Sequence, residues 1–141
     1  MSPASFNVLF IGKAGQVLAD PAGFLRVVWH NQPRQLADTQ ALFEQMVVHL
    51  RQHNWSRIFI DQTTMPAFDG IEQAWIATEW LPRAVREGGY RYGAVVESAA
   101  VLVRLATTFI TTHLPGLPLV YCSFDDEATA VQWLSQQPAQ P

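Results

Sequence analysis

The run SRIFI at residues 56–60 is almost wholly apolar, and helical patterns lie on both sides of it. A strand without polar alternation must be covered on both faces, as the inner strands of a parallel sheet are. Two further runs, YRYGAVV at 90–96 and LVYCSF at 119–124, recur at intervals long enough to hold a crossover helix. Strand-helix alternation of this kind predicts an α/β sheet with right-handed crossovers.

The intervening segments supply the helices. Phe43, Met46, Val47 and Leu50 recur at helical spacing and predict a helix from Thr39 to His53, with Asp38 as its N-cap. A second helix is expected from Ile71 to Glu87, stopped by Gly88 and Gly89 and kinked or restarted near Leu81 by Pro82. A third covers 99–113, with Val101, Leu102, Leu105, Phe109 and Ile110 facing inward. The last is DDEATAVQWLSQQ, where Ser123 and Asp126 have the spacing of a capping box. At the other end, SFNVLFIG and FLRVVWH read as two antiparallel strands joined by the hairpin connection GKAGQVLADPAG. The expected architecture is therefore one α/β domain over 1–141, with an ordered core of about 6–135. Its sheet is open, mixed and mostly parallel, with five strands and about four helices in the order β-β-α-β-α-β-α-β-α. PAQP is expected to be a tail.

Composition narrows the function classes. Hydrophobic residues make up 49% of the 141 positions and charged residues 15%, which excludes a disordered chain. The net charge is −3 and Lys13 is the only lysine, so no basic run is present to track a nucleic-acid backbone. Cys122 has no cysteine partner within the chain. The opening MSPASFNVLFIGK lacks the charged start and apolar stretch of a secretion signal. The most membrane-like segment, AAVLVRLATTFITTHL, is divided by Arg104 and four Thr, too short to span a bilayer. A cytoplasmic protein that does not span a membrane is expected.

Polar motifs in the chain are sparse. In IFIDQTTMPAFDG, Asp61 ends an apolar strand at the edge where open α/β sheets carry their sites, and Asp69 follows eight residues later. Asp61 and Asp69 are the candidate catalytic carboxylates, with Thr63 and Thr64 between them. The competing reading makes Asp61 a loop brace and Asp69 an N-cap, with Gly70 permitting a tight entry to the next helix. His49 and His53 have a metal-compatible spacing, but no third ligand of matching type lies nearby, and no metal or cofactor is expected. The short GKAG and GG stretches match no phosphate-binding loop. Glu79, Arg83 and Glu87 are spaced as ion pairs along one helix.

The tryptophans point elsewhere. Trp75 and Trp80 share one helix at a spacing that turns them about 140° apart in a regular α-helix, so both cannot point at the same spot on the sheet: either one packs on the core while the other lines a cleft or a subunit interface, or both are core residues on a wide apolar face. At IEQAWIATEWLPRAVREGGYRYGAVV and YCSFDDEATAVQWL the chain resembles the STAS superfamily, in its SpoIIAA-like or STAS/SEC14-like bacterial branch. The resemblance runs from Phe6 to Ser135 and implies the fold more than a function. It also implies a role for Asp61 and Asp69, whose spacing matches the aspartates around the phosphorylated Ser of anti-sigma-factor antagonists. Gly70 occupies the acceptor position, so the phosphorylation switch is not expected, and no regulatory phosphate is expected from Asp61 to Glu72.

The leading expectation is a non-enzymatic, STAS-like ligand- or partner-binding domain for an apolar or lipid-like small molecule. Trp75, Trp80, Leu105 and Phe109 are its candidate pocket walls. The alternative is a small hydrolase or phosphotransfer enzyme using Asp61. A homodimer with Trp80 in its interface is a third reading.

Overall fold

The computed structural model describes residues 6–112 and 116–141, without the side chain of Thr112. Six strands form one sheet in sequence order. These are β1 (Asn7–Ile11), β2 (Gly15–Asp20), β3 (Phe24–Trp29), β4 (Arg57–Asp61), β5 (Tyr92–Val96) and β6 (Val120–Phe124). Strands β1 to β3 are an antiparallel meander, and β3 to β6 pair in parallel.

The α/β class expected from the sequence is present, with two corrections. The sheet has six strands rather than five, and two of its five pairings are antiparallel. The extra strand is β2, which lies inside the stretch expected to be only a hairpin connection. Gly12, Gly15 and Pro21 dominate that stretch as turn signals, yet they bracket Gln16–Ala19, which is long enough to pair on both sides. Consequently Phe24–Trp29 is antiparallel to β2, not to the first strand.

Helix α1 (Leu36–His53) crosses from β3 to β4, and α4 (Val101–Thr112) from β5 to β6. Between β4 and β5 one helical segment runs without a break through α2 (Gly70–Trp75), a π-helical turn (Ile76–Trp80) and α3 (Leu81–Gly88). Helix α5 (Glu127–Ser135) follows β6. Pro82 is the second residue of α3, directly after the π turn, so the restart expected near Leu81 is where the π turn ends. Gly89, with a φ of 76°, supplies the left-handed cap.

Three successive right-handed crossovers advancing in one direction put their helices on one face of a sheet. The core agrees. Leu25, Val27, Trp29, Ile58, Ile60 and Val95 pack with the buried faces of α1 to α4. Their neighbours on the opposite face, Phe24, Phe59, Ala94 and Val96, pack under Ala130 and Leu134 of α5. Strand β4 is thus covered on both sides, which accounts for its unbroken apolar run. The face beneath α5 also buries Arg57, whose guanidinium donates to the carbonyls of Leu134, Gln137, Ala22 and Gly23. Beyond α5 the last residues fold back, and the Ser56 hydroxyl donates to the Pro138 carbonyl at 2.6 Å while Ser56 N–H donates to Ala139. PAQP is therefore docked against the start of β4 rather than a free tail. No helix among the described residues is long and apolar enough to cross a membrane.

Three local expectations change. The first helix starts earlier, at Leu36, and Asp38 accepts from the Gln35 backbone N–H at its third position instead of serving as N-cap. At α5 the cap is Asp126 alone, accepting from Thr129 N–H at 2.8 Å. Of the five residues of α4 expected to face inward, Ile110 alone does so, beside Val103 and Ala106. Val103, Ala106 and Ile110 are buried, whereas Val101, Leu102, Leu105 and Phe109 are exposed.

Candidate functional site

The expected acidic pair is engaged in holding the loop. Asp61 Oδ1 accepts from Thr63 N–H at 3.0 Å and from the Thr63 hydroxyl at 2.6 Å. Asp69 is the N-cap of α2, accepting from Glu72 N–H at 2.8 Å, while Glu72 returns a bond from Asp69 N–H at 2.9 Å. That reciprocal arrangement is a capping box. Gly70 has open space around the position of a Cβ, so close backbone approach is not what places it there. The sheet order also bears on Asp61. Strand order never reverses around β4, so its carboxyl end is not a topological switch point of the kind that opens a binding crevice.

The loop owes its position to a residue that carried no sequence signal. Arg34, in the polar connection before α1, is buried with Glu72 as an ion pair at 2.8 Å and a second bond at 3.2 Å. Its Nη1 donates to the Pro66 carbonyl and its Nη2 also to that of Ala67, and its guanidinium lies 5.4 Å from the Trp29 ring and 5.1 Å from Phe68. The Thr39 hydroxyl also donates to Glu72. A lone Arg among polar loop residues has no periodicity to mark it as buried.

Under this loop, between the sheet and the helical layer, lies a cavity of about 40 Å³. One water needs roughly 10–15 Å³ of such space, so the cavity admits a few heavy atoms. Aromatic walls come from Trp29, Phe43, Phe68 and Trp80, and Tyr90 and Tyr121 close the β5–β6 side. Helix α4 contributes Thr107, Ile110 and Thr111, and the Thr107 hydroxyl donates to Gln62 Oε1 at 3.0 Å.

The π turn sets the tryptophan geometry. Leu81 N–H bonds to Ile76 C=O, five residues back, and this wider turn brings residues five apart onto one side. Both rings therefore meet Phe43, Trp75 at 5.8 Å and Trp80 at 4.5 Å between centroids. The expected 140° separation does not apply, because a regular helical period was assumed. Trp80 is deeply buried and its indole N–H donates to the Phe43 carbonyl at 2.8 Å, while Trp75 is half-buried. Leu105 and Phe109 stand outside this cavity, 59% and 46% exposed. Of the four expected walls, only Trp80 lines it. Leu105 instead borders a shallow surface groove with Ala67, Phe68, Gln73, Leu102 and Ala106.

Tyr90 is the residue the sequence reading missed. Only 1% exposed, it lines the cavity, and its hydroxyl has no hydrogen-bond partner among the described residues. Buried polar atoms are nearly always paired, so an orphan on a cavity wall calls for a reason. Burial pushes its phenol well above the ordinary value, with Tyr121 adding to the effect, so the hydroxyl keeps its proton. Gly93 makes the arrangement fit. A Cβ there would strike the Tyr90 hydroxyl and lie 2.7 Å from Tyr121 Cδ2.

Other candidates are placed as follows. His53 Nδ1 lies 2.9 Å from the His49 carbonyl, and its ring stacks on Trp55 at 4.2 Å. Among the described residues no group of three or more His, Cys, Asp or Glu gathers as a metal site. Cys122 is half-buried on β6 opposite Ala94. Arg83 pairs with Glu44 of α1 at 2.7 Å, a bond between helices rather than along one, and Glu44 holds its guanidinium pKa above the ordinary value. No known protein family, characterised protein or solved structure matches the chain.

Proposed function

We propose that this protein is a non-enzymatic binding domain for a small, largely apolar ligand, taken up in the cavity beneath the π turn. The observation that carries the reading is the Tyr90 hydroxyl, buried and without a partner among the described residues, on a largely aromatic and aliphatic wall. Pockets of this composition, with a few polar groups that orient a ligand, are the usual form of small-molecule sites. π-Helical turns are frequent at functional sites, and this one carries Trp80 into the cavity wall. A STAS-like ancestry remains part of the proposal and rests on the Trp-rich helix and the closing FDDEATAVQWL run. A regulatory phosphate is not part of it.

Xenon and small hydrocarbons, titrated while the Trp80 indole N–H resonance is followed, test the reading. Saturable shifts of that resonance are expected, and they should disappear when Ile110→Trp fills the space. Absence of any saturable shift in the wild-type protein overturns the proposal. Hydrolase activity that is lost in Asp61→Asn with the fold intact would instead restore Asp61 as an enzymatic centre.

A further inference from the structure

The chemistry of the cavity wall narrows the ligand further, on the premise that the cavity is the site. Its described lining holds no acidic or basic side chain. A carboxylate or ammonium entering it would lose its hydration with no charge to replace it, which is the costliest form of burial. Of the polar groups on the wall, the Thr107 hydroxyl and Gln62 Oε1 already bond to each other. Of the wall's side-chain polar atoms that are closed off from solvent, the Tyr90 hydroxyl alone has no hydrogen-bond partner among the described residues.

We propose that the ligand is a compact, uncharged molecule whose single acceptor oxygen, a carbonyl or hydroxyl, receives a hydrogen bond from the Tyr90 hydroxyl. Fatty acids and other anions are thereby excluded, although the superfamily resemblance suggests lipids as a ligand class. The raised phenol pKa is consistent with this, since the hydroxyl stays a donor across the neutral range. Donation to the ligand also removes the desolvation cost that the orphan hydroxyl carries in the empty domain. A hydrocarbon of the same shape fits the walls but leaves that cost in place, so specificity resides in one oxygen. Helix α4 contributes Ile110, Thr107 and Thr111 to the wall. Among its described side chains it buries only Val103, Ala106 and Ile110. So few buried contacts let it shift outward for a ligand larger than a few atoms.

Three nearly isosteric probes separate the possibilities: methyl isopropyl ketone, 2,3-dimethylbutane and isobutyrate. Each is titrated into wild type and into Tyr90→Phe at neutral pH, with the Trp80 indole resonance as readout. The ketone-to-hydrocarbon affinity ratio is expected to be about tenfold higher in wild type than in Tyr90→Phe, the factor that one ordinary hydrogen bond supplies once the ligands' own desolvation cancels between the two proteins. Tyr90→Phe is expected to keep its affinity for the hydrocarbon, and isobutyrate is expected to bind neither protein. A ratio that is the same in wild type and in Tyr90→Phe overturns the proposed oxygen contact while the site stands. Isobutyrate binding as tightly as the ketone overturns the uncharged class. If no probe gives a saturable shift in wild type, the site itself is refuted along with its ligand. Xenon binding to Tyr90→Phe verifies that the variant keeps its cavity, and loss of xenon binding there with the fold intact also counts against the proposal.

Discussion

Tyr90 and Arg34 are buried polar residues with opposite degrees of satisfaction, and their substitutions should move stability in opposite directions. Removing a buried hydroxyl that has no partner relieves a desolvation cost of about 1–3 kcal/mol, part of which is recovered if the empty cavity is dry. Tyr90→Phe is therefore expected to stabilise the ligand-free protein by about 1 kcal/mol in urea denaturation. A loss of stability would mean that the hydroxyl is paired. Arg34, in contrast, answers Glu72, two loop carbonyls and the faces of Trp29 and Phe68. Arg34→Met leaves Glu72 buried without its counter-charge, and such breakage costs about 3–5 kcal/mol. The double variant Arg34→Met with Glu72→Met should recover much of the loss, since a buried ion pair replaced by apolar side chains is often close to neutral. A single-variant midpoint equal to wild type would remove Arg34 from its role as the pin of the loop.

At the scale of elements, the segment from α2 through α3 shows how one extra residue per turn redirects a whole face. The π turn brings Trp75 and Trp80 to the same neighbour, Phe43, so Trp80 walls the cavity while Trp75 flanks it. The start of that segment depends on the Asp69–Glu72 capping box. Asp69→Ala is expected to cost about 1 kcal/mol, measured by thermal or urea unfolding, with the ligand response of the cavity retained. A change within about 0.3 kcal/mol would show that the Arg34–Glu72 pair positions the helix start without the cap. Periodicity marked this segment as helical, and Pro82 marked the restart near Leu81. The π turn left no mark in that periodicity, and the contact it permits, of both indoles with Phe43 of α1, spans 32 to 37 residues of sequence. In α4 the apolar residues are spread around the helix, so periodicity alone admitted more than one inward face. Packing against the sheet and the π turn selected Val103, Ala106 and Ile110.

For the molecule as a whole, the sheet carries two unlike faces, with the cavity and the three crossovers on one and α5 with two buried arginines, Arg26 and Arg57, on the other. Its pH response should include His49 on α1. Burial, then the nearby charge of His53, lowers its pKa below the ordinary 6.5, against a smaller opposing hydrogen bond from Gln52. The unfolded chain therefore binds the proton more readily than the folded one. The resulting stability is complete above pH 6.5 and is lost as pH falls through the depressed folded value. His49→Gln should flatten the stability profile in that window, and a profile unchanged from wild type would show that His49 contributes nothing to it. The sequence by itself determined the α/β class, the doubly covered β4, the helical segments and the Asp69 cap, because each depends on periodicity or on residues within one turn. Tertiary structure alone decided the sixth strand, the inward face of α4, the burial of Arg34 and the orphan hydroxyl of Tyr90. Those outcomes depend on partners far away along the chain, whose approach sets both which polar groups are paired and where space is left unfilled.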